Sequence, residues 1–208
     1  PDNFGAVGGT EMCERFGNMD WEKMGAMGGD RAFGMYETMG RDGVMGMEGD
    51  RMAGMFDAMG PDNFGAIGGT EMFDMVGNMS GDNFAAMGSD SAFGMFDTIG
   101  SDVVMGLEGD QLSGMFGAME HDQIEHMEGE MVFDVFQSMG TEGMMSMDGD
   151  SMAGMFDAMG PDNFGGIGDV DMFEMAGAMS GDNIAAMGSD SAFGMFETMG
   201  SDLAGGLW

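Results

Sequence analysis

The sequence predicts an all-α protein, a solenoid of about ten 20-residue repeats, each made of two short helices separated by Gly turns. Three observations carry that prediction. The chain repeats with a gap-free period of twenty, apolar residues inside each period recur at helical spacing, and cap-type residues sit where each helix should begin and end. A fixed period of about 20–50 residues is the sequence signature of stacked repeats. Written in rows of twenty from Pro1, the 208 residues align without an insertion. Column two is acidic in all eleven rows, from Asp2 and Glu22 to Asp202. Column nineteen is Met in nine of ten rows, Ile99 being the exception, and column sixteen is aromatic in eight of ten.

The first helix of each row should open at column two, where Asp is a good N-cap, and bury the i, i+3 pair of columns four and seven, as in Phe84 and Met87. Gly at column eight or nine of every complete row then breaks it. The second helix should start at column ten, which is Asp six times and Thr at Thr10 and Thr70. Its apolar columns 12, 15, 16 and 19 follow the i, i+3, i+4, i+7 template, for example Met52, Met55, Phe56 and Met59. Gly at column twenty, such as Gly60, Gly100 and Gly160, suits a left-handed C-cap. Column fourteen is also Gly in six rows, and each of these weakens a helix by about 0.5–1 kcal/mol relative to Ala. Close approach between neighbouring helices is the expected compensation.

Helices shorter than ~12–15 residues are marginal alone in water, so the rows must stack and bury each other's Met and Phe faces. Layers of helices spaced by ~8–10 Å would give a rod on the order of 80–100 Å. A β-solenoid with twenty residues per coil is the alternative. Strict alternation is absent and Val, Ile and Thr are few, which counts against it. Residues 1–208 read as one array, expected to be a fragment or processed form of a longer chain because it opens at Pro1 inside a motif. Rows starting at Pro1 and Pro61 head matching blocks, residues 41–107 recur closely at 141–207, and residues 121–160 are the divergent repeats.

Charge narrows the function classes. There are 38 acids against five bases, a formal net charge of −33. All five bases, Arg15, Lys23, Arg31, Arg41 and Arg51, lie in residues 1–51, the less acidic end. Such a chain repels nucleic acid and anionic lipid, and it repels itself unless salt or cations screen it. A salty or calcium-containing setting, outside the cell or at its surface, follows as the expectation. No apolar run approaches the length of a membrane span.

The ladder of carboxylates is the first candidate for chemistry. Calcium suits carboxylate oxygens, and the turns carrying Asp82, Asp90, Asp102, Asp110, Asp182 and Asp190 are where it would bind. Helix capping accounts for the same residues without an ion, and no calcium-loop motif matches. The methionines are the second candidate, because thioethers favour Cu(I) or Ag(I). They fill the columns that elsewhere hold Phe, Leu, Ile and Val, so a core role explains them, and any left exposed would offer an adaptable apolar surface to a partner. His121 and His126 are five residues apart and do not share a helical face, and Cys13 reads as a small buried hydrophobe. No phosphate-binding loop, nucleophile elbow or zinc-protease motif is present, and acids at repeated positions do not make one asymmetric active site. The expected function is therefore non-enzymatic: an extended acidic scaffold or linker docking on partner subunits or on itself. A calcium-dependent adhesin or surface-layer segment and a Met-rich Cu(I)/Ag(I)-binding protein are the alternatives.

Overall fold

The computed structural model describes residues 27–205. Cys13, Arg15, Trp21, Lys23 and Trp208 lie outside the described residues. Among the described residues there is helix and turn and no strand, so the chain is all-α and the β-coil alternative is disfavoured. Two compact units divide it, residues 1–107 and 108–208.

In the first unit the helices are α1 (Gly29–Met45), α2 (Gly49–Met59), α3 (Gly69–Val76), α4 (Gly81–Ala85), α5 (Ser89–Ile99) and α6 (Ser101–Val104), with a 3₁₀ segment over Pro61–Ala66. In the second they are α7 (Gly109–Ala118), α8 (His121–Ile124), α9 (Gly129–Ser146), α10 (Gly149–Met159), α11 (Asp169–Ala178), α12 (Gly181–Ala186) and α13 (Ser189–Gly205), with a 3₁₀ segment over Pro161–Gly166. A short and a long helix thus alternate along the rows. Pro at the first position turns the short helix into 3₁₀ geometry in two of them. Gly40 interrupts α1 with φ 67° and ψ 168°, and Gly140 interrupts α9 in the same way, so each is a long helix followed by a short one.

The apolar columns are the buried ones. Met52, Met55, Phe56 and Met59 on α2 are at most 1% exposed, and Phe64 and Phe84 of the short helices are fully buried. Burying one such side chain is worth ~1.5–3 kcal/mol. Phe56 meets Phe64 edge-on at 6.1 Å, and Phe156 meets Phe164 at 5.6 Å, which locks a long helix to the short helix that follows it. Within each unit a long helix packs on the long helices of the next row and of the row after it: α1 on α2 and α3, and α9 on α10 and α11.

Close approach accounts for the small residues. A Cβ on Gly29 would lie 2.6 Å from the Met59 carbonyl oxygen, and one on Gly129 would lie 2.7 Å from that of Ala158. The start of one long helix therefore rests directly on the last turn of the next. At column fourteen, Gly94 and Gly194 face Pro61 and Pro161 just as closely.

Two expected boundaries shift. The long helices begin at column nine with column eight as N-cap, and the short ones begin at column one with column twenty as N-cap. An N-cap needs extended backbone, which Ser80 (φ −87°, ψ 167°) and Asp148 (φ −71°, ψ 163°) have. The acids of columns two and ten instead stand at the second helical position, facing the positive end of the dipole. Gly60, Gly100 and Gly160 have positive φ as expected, but ψ of 145–162° is not that of a left-handed cap. The next helix starts one residue later, which leaves no room for a left-handed turn, and this backbone region is essentially restricted to Gly.

Candidate functional site

The expected calcium positions are dispersed. Asp82, Asp90, Asp110, Asp182 and Asp190 are exposed first-turn acids, and the side chain of Asp102 lies outside those described. Among the described residues, one group of His, Cys, Asp and Glu side chains converges closely enough to share an ion, and it contains none of the six. The methionine columns supply core instead: Met52, Met72, Met75, Met95, Met115, Met155 and Met175 are at most 1% exposed.

The converging group is His121, Glu125 and Asp157 in the second unit, whose ligand atoms all lie within 4.8 Å of one another. Its geometry grows from the repeat. Glu120 caps α8 in a reciprocal box with Gln123, whose Oε1 accepts from the Glu120 N–H at 3.0 Å. His121 is then the first residue of the helix, at the place Pro61 and Pro161 hold in their rows. Gly154 of α10 lets it in, since a Cβ there would lie 2.9 Å from the imidazole Cδ2. Seated so, His121 Nε2 donates to Asp157 Oδ2 at 3.0 Å.

Asp157 is itself fixed. Its carboxylate accepts the Gly188 N–H at 2.8 and 3.0 Å, and its side chain is only 9% exposed. That anchor is a feature of the repeat, because Asp57 Oδ1 accepts from Gly88 N–H at 2.8 Å in the first unit. Glu125 ends α8 one turn after His121, with its N–H donating to the His121 carbonyl at 2.9 Å, and its side chain is exposed. On the other side of the ring, Nδ1 lies 3.9 Å from Asp122 Oδ1. His126 stands at the edge of the group: its Nδ1 donates to the Asp122 carbonyl at 2.7 Å and lies 3.5 Å from Glu125 Oε1, and the side chain is largely exposed.

An imidazole and two carboxylates, one of them anchored and largely buried, can accept protons or ligate a divalent ion. Sequence reasoning missed this set because Asp157 is 36 residues from His121. The available signal was that His121 replaces the column-one Pro and Glu125 follows one turn later.

A part-buried polar contact lies in the first unit. The Tyr36 hydroxyl donates to Glu71 Oε1 at 2.7 Å. Burial, then the hydrogen bond to Glu71, pushes the phenol far above its ordinary range.

No protein-family model, no curated protein and no solved structure matches this chain.

Proposed function

We propose that the protein is a non-enzymatic structural repeat protein, a helical solenoid of about ten 20-residue units acting as an extended acidic scaffold or linker. It docks on partner subunits or on further copies of itself, outside the cytoplasm in a medium salty enough to screen its charge. One observation carries the reading: the same helix-start-on-helix-end contact recurs at Gly29 with Met59, Gly69 with Thr98, Gly109 with Ser138 and Gly129 with Ala158. Repeats that support one another in this way, with acids outside, are what a quasi-one-dimensional array would need.

Docking is supported by apolar side chains that the packing leaves uncovered. Val170 and Phe173 of α11 and Phe193 and Phe196 of α13 are 55–65% exposed. The column of Phe196 is buried elsewhere, as at Phe56, Phe116 and Phe156. They lie on two helices that pack together, and a contiguous apolar patch there would be a surface for a partner. No helix among the described residues is long and apolar enough to cross a membrane.

The test is the state of the protein in its native source. Gentle extraction followed by size fractionation and cross-linking should recover it in a fibre, shell or multi-subunit complex. A stable, isolated monomer under those conditions overturns the reading.

A further inference from the structure

We propose that His121, Glu125 and Asp157 bind one first-row divalent transition-metal ion of the Zn2+ kind, which staples three rows of the second unit together. The donor set decides the class. One imidazole nitrogen with two carboxylate oxygens is a borderline set that suits zinc, cobalt, iron or manganese, whereas calcium takes oxygen alone. Two carboxylates offset the charge of a divalent ion without a surplus.

Geometry brings the donors most of the way. The imidazole Nε2 and Asp157 Oδ2 already stand 3.0 Å apart. Ligands ~2.0–2.2 Å from one tetrahedral ion are separated by roughly 3.4 Å, so the pair needs only a small opening. Glu125, the C-cap of α8, has an exposed side chain that contacts His126 Nδ1 at 3.5 Å and would turn from it to complete the triad, with water in the fourth position. Ligation at Nε2 leaves the neutral ring's hydrogen on Nδ1, which faces the Asp122 carboxylate. A carboxylate behind a metal-bound histidine orients the ring and raises its basicity.

The surroundings are built for rigidity. Asp157 cannot swing away while the Gly188 N–H holds it, and Gly154 leaves the imidazole no space to retreat along α10. The ion would therefore tie α8 to α10 and, through Gly188, to the start of α13. The repeat supplies its own controls. Pro61 and Pro161 take the place of His121 and are followed four residues later by Gly65 and Gly165, so the corresponding positions lack both an imidazole and a carboxylate.

The experiment titrates the chelator-stripped full chain with Co2+ and with Zn2+ in a large excess of Ca2+, which occupies carboxylate-only sites. The expected result is one Ca2+-resistant equivalent per chain, with a visible Co2+ absorption band, a raised melting temperature and a larger perturbation of the His121 ring signals than of those of His126. His121→Gln abolishes that equivalent, Glu125→Gln weakens it at least about tenfold, and Asp122→Asn weakens it by less, through the ring's orientation. His121→Pro, the residue the repeat itself carries there, is the second variant should Gln disturb folding, and its circular dichroism reports the fold. Binding that Ca2+ displaces fully, or that survives in His121→Gln or His121→Pro, overturns the proposal.

Discussion

The row opening at Pro61 in the first unit and the row opening at His121 in the second are two versions of one arrangement. Each places its first residue against a column-fourteen glycine of the next row's long helix, Pro61 against Gly94 and His121 against Gly154. Each buries its fourth residue completely, Phe64 in one and Ile124 in the other. The difference lies at the rim. Pro61 presents a ring with no polar atom, and Gly65 follows it, whereas His121 and Glu125 aim polar groups at an aspartate held by a backbone N–H. Packing is thus carried by columns that the two rows share, and chemistry is introduced at positions where packing only asks for a ring of the right size.

If that division holds, removing the shared core should damage both rows alike. Phe64→Ala should cost ~3–5 kcal/mol and Ile124→Ala ~2–5 kcal/mol, by the lost transfer energy plus the cavity left behind. Denaturant unfolding that follows each unit separately measures both. A harmless Ile124→Ala would mean that the His121 row is held by its polar contacts instead.

The glycine contact comes next in size. Gly94→Ala and Gly154→Ala should each destabilise by ~1–3 kcal/mol through overpacking, despite Ala's better helix propensity of about 0.5–1 kcal/mol. The two should diverge in a second readout: Gly154→Ala displaces the His121 ring and weakens metal binding, whereas Gly94→Ala leaves it intact. Equal stabilisation by both substitutions would show that the glycines are there for something other than close approach.

The units also differ along the same columns elsewhere. Tyr36 and Glu71 form a part-buried hydrogen bond where the second unit carries Phe136 and Asp171. The folded phenol holds its proton far more tightly than the unfolded one, whose pKa is about 10. Stability from this pair is therefore complete below about pH 10 and declines as pH rises from there toward the folded value. Tyr36→Phe should cost ~1–2 kcal/mol at neutral pH and flatten the alkaline decline of the first unit. Thermal melts from pH 8 upward check it, and an unchanged decline in the variant would refute the assignment.

How much of this was legible in the sequence follows from what a period encodes. A period of twenty states which residues are equivalent, so columns 12, 15, 16 and 19 announced the core, and Met52, Met55, Phe56 and Met59 are in it. It does not state which rows touch. The partners found here are separated by 31 to 36 residues, as in Asp157 with Gly188 and His121 with Asp157, a spacing set by three-dimensional packing of a row on the next row and on the row after it. The caps were misplaced by two residues for a related reason. Asp is a strong cap in isolation, and only the backbone reveals that Ser80, Glu120 and Ser180 hold the extended conformation that a cap requires.

That displacement yields the smallest and most discriminating prediction. Asp62 and Asp122 both occupy the second helical position of their rows, where a carboxylate stabilises through the dipole and not through a capping hydrogen bond. Neutralising either to Asn should cost only ~0.3–1 kcal/mol, and the cost should shrink as salt is raised. Ser180→Ala, by contrast, removes the side chain that accepts the Asn183 N–H at 3.1 Å and should cost ~1 kcal/mol with little salt dependence. Denaturation of the three variants at low and high ionic strength separates the mechanisms. If Asp122→Asn were the costlier and salt-insensitive change, the acids would be caps after all. The His121 row adds one further distinction, because Asp122→Asn also loosens the imidazole's orientation while Asp62→Asn has no ring to orient.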